Sequence, residues 1–304
     1  MLRTINFMGV RNIAFGVTVL LTVLALFSMF HKGMNYGLDF TGGTLIELTY
    51  EKPADLTKVR SELASAGFED AVVQSFGATT DLLVRMPGDD PLLGNRVAEA
   101  LGQADNTNPA VIKRVEFVGP QVGEELRDQG GLGMLMALGG IMIYLAFRFQ
   151  WKFAVGAIAS LVHDVIVTMG VLSFFQITFD LTVLAAVLAI IGYSLNDTIV
   201  VFDRVRENFR VLRKASLIDN INISTTQTLL RTMATSISTL LAIMALLVFG
   251  GDNLWGFSIA LFVGVLAGTY SSIYIANVVL IWLNLSSEDL IPPVTSDKEI
   301  DDRP

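Results

Sequence analysis

Ile191-Gly192-Tyr193-Ser194-Leu195-Asn196-Asp197-Thr198-Ile199-Val200-Val201-Phe202-Asp203-Arg204-Val205-Arg206-Glu207-Asn208 is the stretch that decides between a soluble and a membrane-embedded chain. It closes a long apolar run, sets Asn196 and Asp197 among hydrophobic neighbours, and turns charged and basic only at Asp203. A carboxylate inside an apolar span is costly in a bilayer and by default marks a functional site. The competing explanation is a carboxylate that reaches water near a helix end.

Composition favours the membrane. The 304 residues are 52% hydrophobic and 16% charged, with mean hydropathy +0.58, against roughly 25% charge in an average soluble domain. The net charge of -8 argues against a nucleic-acid partner. No cysteine is present, which excludes disulfides and thiolate metal sites. Two histidines, His31 and His163, are too few for a zinc site. No G-x-x-x-x-G-K-[ST] motif occurs, and no nucleophile has a plausible base, so the chain is expected to be no enzyme and to need no cofactor. Any energy input should be an ion gradient.

Outward from the opening stretch, the apolar runs predict six membrane spans: 13–30, 131–149, 153–174, 181–202, 229–249 and 254–283. Residues 1–12 read as a cytoplasmic N-terminus, 203–228 as a basic cytoplasmic loop, and 284–304 as a disordered acidic tail. No small-residue cleavage site follows the first span, so it is expected to remain as an anchor. Arg148, Lys152 and the run Arg204, Arg206, Arg210, Arg213 and Lys214 fall on one side of the membrane. The loops at 176–180 and 250–253 carry neither Lys nor Arg. The positive-inside rule then puts both termini in the cytoplasm.

Residues 31–130 differ in kind, being polar and alternating. Ile46, Leu48 and Tyr50 share one strand face. Leu56, Val59, Leu63 and Ala66 repeat at helical spacing, and so do Leu93, Val97, Ala100 and Leu101. Strands at 71–76, 81–86 and 111–118 complete a βαββαβ order, a ferredoxin-like α+β domain inserted between spans one and two on the extracytoplasmic side.

Within the spans, Gly156, Ser160, Asp164 and Thr168 lie along one ridge of span three, and Gly256, Ala260, Gly264, Gly268, Ser272 and Ala276 along one ridge of span six. Small residues at this spacing let helices approach closely. Asp197 precedes the polar edge at Asp203 by about 9 Å of helix rise. Arg231 lies about as deep in span five, so the two charges are candidates for a pair that lowers the burial cost of both. Arg231 could equally be an ordinary flanking cation, and Asp164 a structural interhelical acceptor.

Five motifs now fall in order: Leu38-Asp39-Phe40-Thr41-Gly42-Gly43-Thr44; Val118-Gly119-Pro120-Gln121-Val122-Gly123-Glu124-Glu125-Leu126; His163-Asp164-Val165; the opening stretch; and Thr226-Gln227-Thr228-Leu229-Leu230-Arg231-Thr232. Together with six spans they resemble the SecF family of bacterial protein-export subunits, relatives of the RND transporter superfamily. The resemblance covers the chain to about Trp282. It implies pairing with the similar six-span SecD, and work beside the SecY–SecE–SecG translocon on an unfolded preprotein, with YajC and YidC as candidate partners. It also implies an inner-membrane location among lipids, a periplasmic domain and drive by the proton-motive force. By position it makes Asp197 the proton-responsive aspartate and Arg231 its partner. Asp164 is a further proton-coupling candidate, and Asn196, Tyr193 and Thr235 are supporting residues. Asp39, Gly42, Gly43, Gly119, Pro120, Gly123, Glu125, Leu126, Gly264 and Gly268 are motif positions. An RND-type exporter of small molecules or lipids, and a non-transporting scaffold of the translocon, are the alternatives.

Overall fold

The computed structural model describes residues 4–76, 78–88, 90, 92–104, 108–212, 215–286 and 289. A 3-10 turn (Phe7–Val10) leads into α1 (Arg11–Lys32), and a one-turn α2 (Leu38–Thr41) precedes β1 (Gly43–Thr49). Then come α3 (Leu56–Ser65), β2 (Val72–Phe76), β3 (Ala78–Met86), α4 (Leu93–Ala104) and β4 (Val111–Val118). The rest is helical: α5 (Pro120–Arg148), α6 (Trp151–Phe174), α7 (Leu181–Val211), α8 (Leu217–Phe249), α9 (Asp252–Ile273) and α10 (Ile275–Trp282). Among the described residues, six stretches are long and apolar enough to cross a membrane, α9 and α10 together making the last.

The four strands form one antiparallel sheet in the order β2-β3-β1-β4, the ferredoxin-like arrangement. Register places Ile46 between Val84 and Val115. Alternation then sends Ile46, Leu48, Val84 and Met86 into a core closed by Val59 and Leu63 of α3 and Val97 and Leu101 of α4. The opposite sheet face, with Leu45, Glu47, Leu83 and Arg85, looks toward the helical bundle. Gly42 and Gly43 adopt φ of +66° and +110°, and a side chain at Gly42 would press on Pro120. Only glycine turns the chain into β1 there.

At the end of the ladder between the two inner strands, the Thr49 hydroxyl donates to Asp81, and Lys113 Nζ lies 3.0 Å from Asp81 Oδ2. The Thr49 bond, and secondarily Lys113, hold the Asp81 carboxyl below its ordinary value. A depressed folded pKa contributes stability present above the unfolded value of about 3.9 and lost as pH falls through the folded one. Asp81→Asn should therefore lower the unfolding free energy at neutral pH by about 1 kcal/mol or less. Paired melts of wild type and variant across acid pH should converge as the carboxylate protonates; an undiminished gap would contradict the assignment.

The bundle has an inner set, α6, α7 and α9, and a largely exposed outer set, α5 and α8. The α9 ridge packs on α7: Gly256 faces Val183, Gly264 faces Ile190, and Gly268 faces Ser194. Helices α1 and α6 are equally close at Gly170, where an added methyl would overlap Ala25. Gly170→Ala is expected to cost about 1–3 kcal/mol through overpacking. Ala25→Gly in the same chain should recover part of it in thermal unfolding of the lipid-embedded protein, whereas no recovery would remove Ala25 as the cause.

Several element ends depart from the sequence expectation. Helix begins at Phe7, inside the segment 1–12 read as a plain terminus, because the buried Met8 N–H donates to Asn222 Oδ1 and fixes the entry. Strand β3 starts at Ala78, not 81, because Thr79 and Thr80 carbonyls accept from Ala54 and Tyr50 N–H groups. Helix α5 starts at Pro120, eleven residues before the expected span 131–149 and directly after β4, which ends at Val118 as expected. Proline suits the first helical position. The polar turns that follow carry Arg127–Glu124 and Gln129–Glu125 contacts at helical spacing.

The expected loop 203–228 is mostly helix. Arg204–Glu207 and Arg206–Asp203 pairs support α7 to Val211, and Ser216 caps α8 from Leu217. Arg213 and Lys214 of that loop lie outside the described residues. The last span breaks at Tyr274, because the Asn277 amide donates to the carbonyls of Ser272 and Ile273 and competes with the helix ladder. Of the expected tail 284–304, only 284–286 and 289 are described.

Candidate functional site

Three helices converge on Asp164. Its side chain has 0% exposure in the middle of α6. Oδ2 accepts from the Ser194 hydroxyl of α7 at 2.5 Å and the Ser271 hydroxyl of α9 at 2.7 Å. Oδ1 lies 3.0 Å from His163 Nδ1. Ser160, one turn earlier, donates to Ser271 at 2.8 Å. Thr168, one turn later, donates back to the Asp164 carbonyl. The ridge of small and hydroxyl residues thus brings α7 and α9 close enough for Asp164 to be shared. A carboxylate with this many donors is well solvated by protein, so the node resists change.

Asp197 is the opposite case. It lies on α7 one turn beyond Ser194, is 2% exposed, and its Oδ2 has no hydrogen-bond partner. Thr198 Oγ1 beside it is also buried and unpartnered. An unsatisfied buried carboxylate is costly when charged and far less so when neutral, so its surroundings distinguish the two states strongly.

Arg231 interacts electrostatically with Asp197. Helix geometry gives both the same height, since each lies fourteen residues from its helix's end at the short α7–α8 connection, about 21 Å of rise. Yet the ion pairs among the described residues do not join them. The pairing inferred from depth is therefore a proximity and not a closed contact. The reason is angular: Arg231 is exposed on the outer face of α8 beside Leu230, which is 73% exposed, whereas Asp197 faces inward on α7.

The supporting residues divide. Tyr193 donates to Ser236 of α8 at 3.1 Å, and Ser236 meets Thr269 of α9 at 2.7 Å, a polar seam across three helices. Thr235 donates to the carbonyls of Arg231 and Thr232 on its own helix. Asn196 is exposed on the same α7 face as Ala185, Ala189 and Gly192. These four are small or polar and recur at alternating spacings of four and three, the repeat of a helix-packing seam.

The remaining motif residues gather at the domain end of the bundle. Gly119 and Pro120 open α5, and Gly123 presses on Gly42, where any side chain would collide. Glu125 accepts from Gln129, and Leu126 is half-buried. Asp39 Oδ2 accepts from the Leu181 N–H at 2.9 Å, which caps the start of α7. Sequence reasoning missed this cap, and also the Ser194 and Ser271 donors. Both serines lie on other helices, 30 and 107 residues from Asp164, so no local spacing points to them.

Between the domain's open sheet face and the bundle lies a cavity of about 800 Å³, bordered by Leu45, Leu83, Arg114, Ile177 and Trp255. Arg114 spans it, donating to Asn253 at 3.1 Å. No metal-ligand cluster occurs among the described residues.

Comparison with known proteins agrees across the whole length. The family described as protein export membrane protein SecD/SecF, C-terminal, matches residues 97–286, and the SecD/SecF GG motif matches residues 27–54. The protein translocase subunit SecF of Pseudomonas aeruginosa is 78% identical over 301 residues, covering 99% of this chain and 98% of that one. The SecF of Vibrio alginolyticus is 48% identical, covering 96% and 93%. A crystal structure of SecDF, a translocon-associated membrane protein from Thermus thermophilus, superposes with TM-score 0.84 at 40% identity. SecDF in its super-membrane-facing form gives 0.69 at the same identity. Each covers 93% of this chain, which spans only 39% of the solved chains.

Proposed function

Since the chain belongs to the SecD/SecF family of protein-export membrane proteins, we propose that it couples the proton-motive force to late steps of preprotein translocation through Asp197. The coarser role, an accessory subunit of Sec protein translocation embedded in the inner membrane by several spans, comes with the family. The coupling rests on one observation: Asp197 is nearly fully buried with an unpartnered carboxylate oxygen, whereas Asp164 accepts from two serine hydroxyls on neighbouring helices.

In this reading Asp197 exchanges a proton and Arg231 responds to the change of charge. Asp164 holds α6, α7 and α9 together while they move. A proton crossing the membrane supplies about 2.3 kcal/mol per 100 mV, enough to bias a two-state packing but not to unfold a stable domain. No nucleotide is hydrolysed. The basic segment around Arg204–Arg210 faces the cytoplasm with both termini, and the ferredoxin-like domain faces the periplasm.

The site is half of one. Arg231 and Asn196 lie on exposed faces of α8 and α7, and SecD is the partner whose helices would cover them. The SecY–SecE–SecG translocon, YajC and YidC are further partners, and the unfolded preprotein is the load. The coupling ion in this reading is H⁺, which the unpartnered oxygen of Asp197 can accept.

Membranes containing the translocon and the assembled pair should export more preprotein with a proton gradient than without one. Equal stimulation in the two conditions would sink the coupling. The cavity under the sheet favours a second reading, export of small molecules or lipids. That reading requires transport by the pair in vesicles lacking the translocon.

A further inference from the structure

The segment between α1 and β1 is covalently a linker, yet its hydrogen bonds go elsewhere. Gly37 N–H donates to the Phe179 carbonyl at 2.7 Å, and Phe179 N–H donates to the Asn35 carbonyl at 2.7 Å. Tyr36 forms a parallel bridge with Phe179. Phe40 stacks on the Phe179 ring at 5.7 Å, and Tyr36 meets that ring edge-on at 6.2 Å. Gly37 is required for this approach, since a side chain there would strike Asp180. The partner in every case is the loop leading into α7.

Asp39 completes the attachment. The first four N–H groups of a helix have no internal partner. In α7, Asp180 Oδ1 takes the Val183 N–H at 2.8 Å, and Asp39 takes that of Leu181 from outside the helix. Two carboxylates at a helix N-terminus also suit its dipole. From the other side the domain grips the same segment: Arg85 of β3 donates to the Tyr36 carbonyl at 2.6 Å and to Asn35 Oδ1 at 3.2 Å.

We infer that Asp39 is a positioning residue that fastens the ferredoxin-like domain to the start of α7, so that movement of α7 reaches the domain through residues 35–41. The covalent ends at α1 and α5 then act as tethers. This inference rests on the proposed switch at Asp197, carried by the same helix.

The chain has no cysteine, so it adds no background of its own to the labelling. Spin labels at Ser61→Cys and Phe249→Cys report domain against bundle, and labels at Trp151→Cys and Val211→Cys report α7 itself; all four positions are exposed. Distances are measured on the full chain assembled with SecD. Asp39→Ala should broaden the 61–249 distribution, while Asp39→Asn, which keeps an acceptor oxygen, should leave it narrow. Asp197→Asn should shift both pairs, and adding Asp39→Ala should cancel only the 61–249 shift. A wild-type width in Asp39→Ala, or an undiminished 61–249 shift in the double variant, overturns the inference. If Asp197→Asn shifts neither pair, the switch reading fails, and the width in Asp39→Ala alone decides for or against the attachment. Arg85→Met breaks the link from the domain side and serves, with the same outcomes, should Asp39→Ala not assemble.

Discussion

Asp197→Asn is expected to abolish the gradient-dependent part of export while the chain still folds and assembles with its partner. The substitution keeps the shape of the side chain and fixes its charge at zero. The carboxylate accepts no hydrogen bond at Oδ2, so neutralising it removes a desolvation cost and breaks no contact there. Stability should therefore hold or rise slightly. Export with a gradient should fall to the level without one, in the same membranes and at the same protein abundance. Normal stimulation by the variant would refute the mechanism. Neutralising Arg231 as well separates the remaining possibilities: a scaffold would tolerate both changes.

Asp164→Ala should act in the opposite sense, on stability first. It strips the acceptor from Ser194, Ser271 and His163, which come from three helices. Buried donors left without partners cost about 1–3 kcal/mol each, although membrane proteins average less per bond. A net loss of about 3 kcal/mol is expected, read as a lower melting temperature of the purified complex. Ser194→Ala alone should cost less, and should cost nearly nothing once Asp164 is already alanine. Asp164→Asn is the discriminating variant. Retained gradient-dependent stimulation there would assign Asp164 to packing, and its loss with unchanged stability would make Asp164 a second proton carrier.

The contrast between these carboxylates was only half legible in the sequence. Their burial followed from the apolar runs around them, because a span has one solvent on all sides. Their satisfaction did not, because a hydroxyl at Ser194 or Ser271 serves packing as readily as hydrogen bonding, and only helix rotation decides. Arg231 repeats the lesson. Residue counting addresses only its position along α8; its outward face depends on how α8 turns against α7.

In the domain, alternation at Ile46 and Leu48 and the helical stripe at Val59 and Leu63 were sufficient for the ferredoxin-like order. The polar ends of α5, α7 and α8 were not visible, since charged helix extensions look like loops until their i,i+3 partners and caps are known.

The length of α7 has a mechanical consequence. Its 31 residues make a rod of about 46 Å. Asp197 lies sixteen residues after Leu181 and fourteen before Val211, nearly at the midpoint. A tilt of about 10° around that point would swing each end by roughly 4 Å, in opposite directions. The stroke under the domain then has a counter-stroke of equal size at the α7–α8 turn. One proton event would be felt on both faces of the membrane at once.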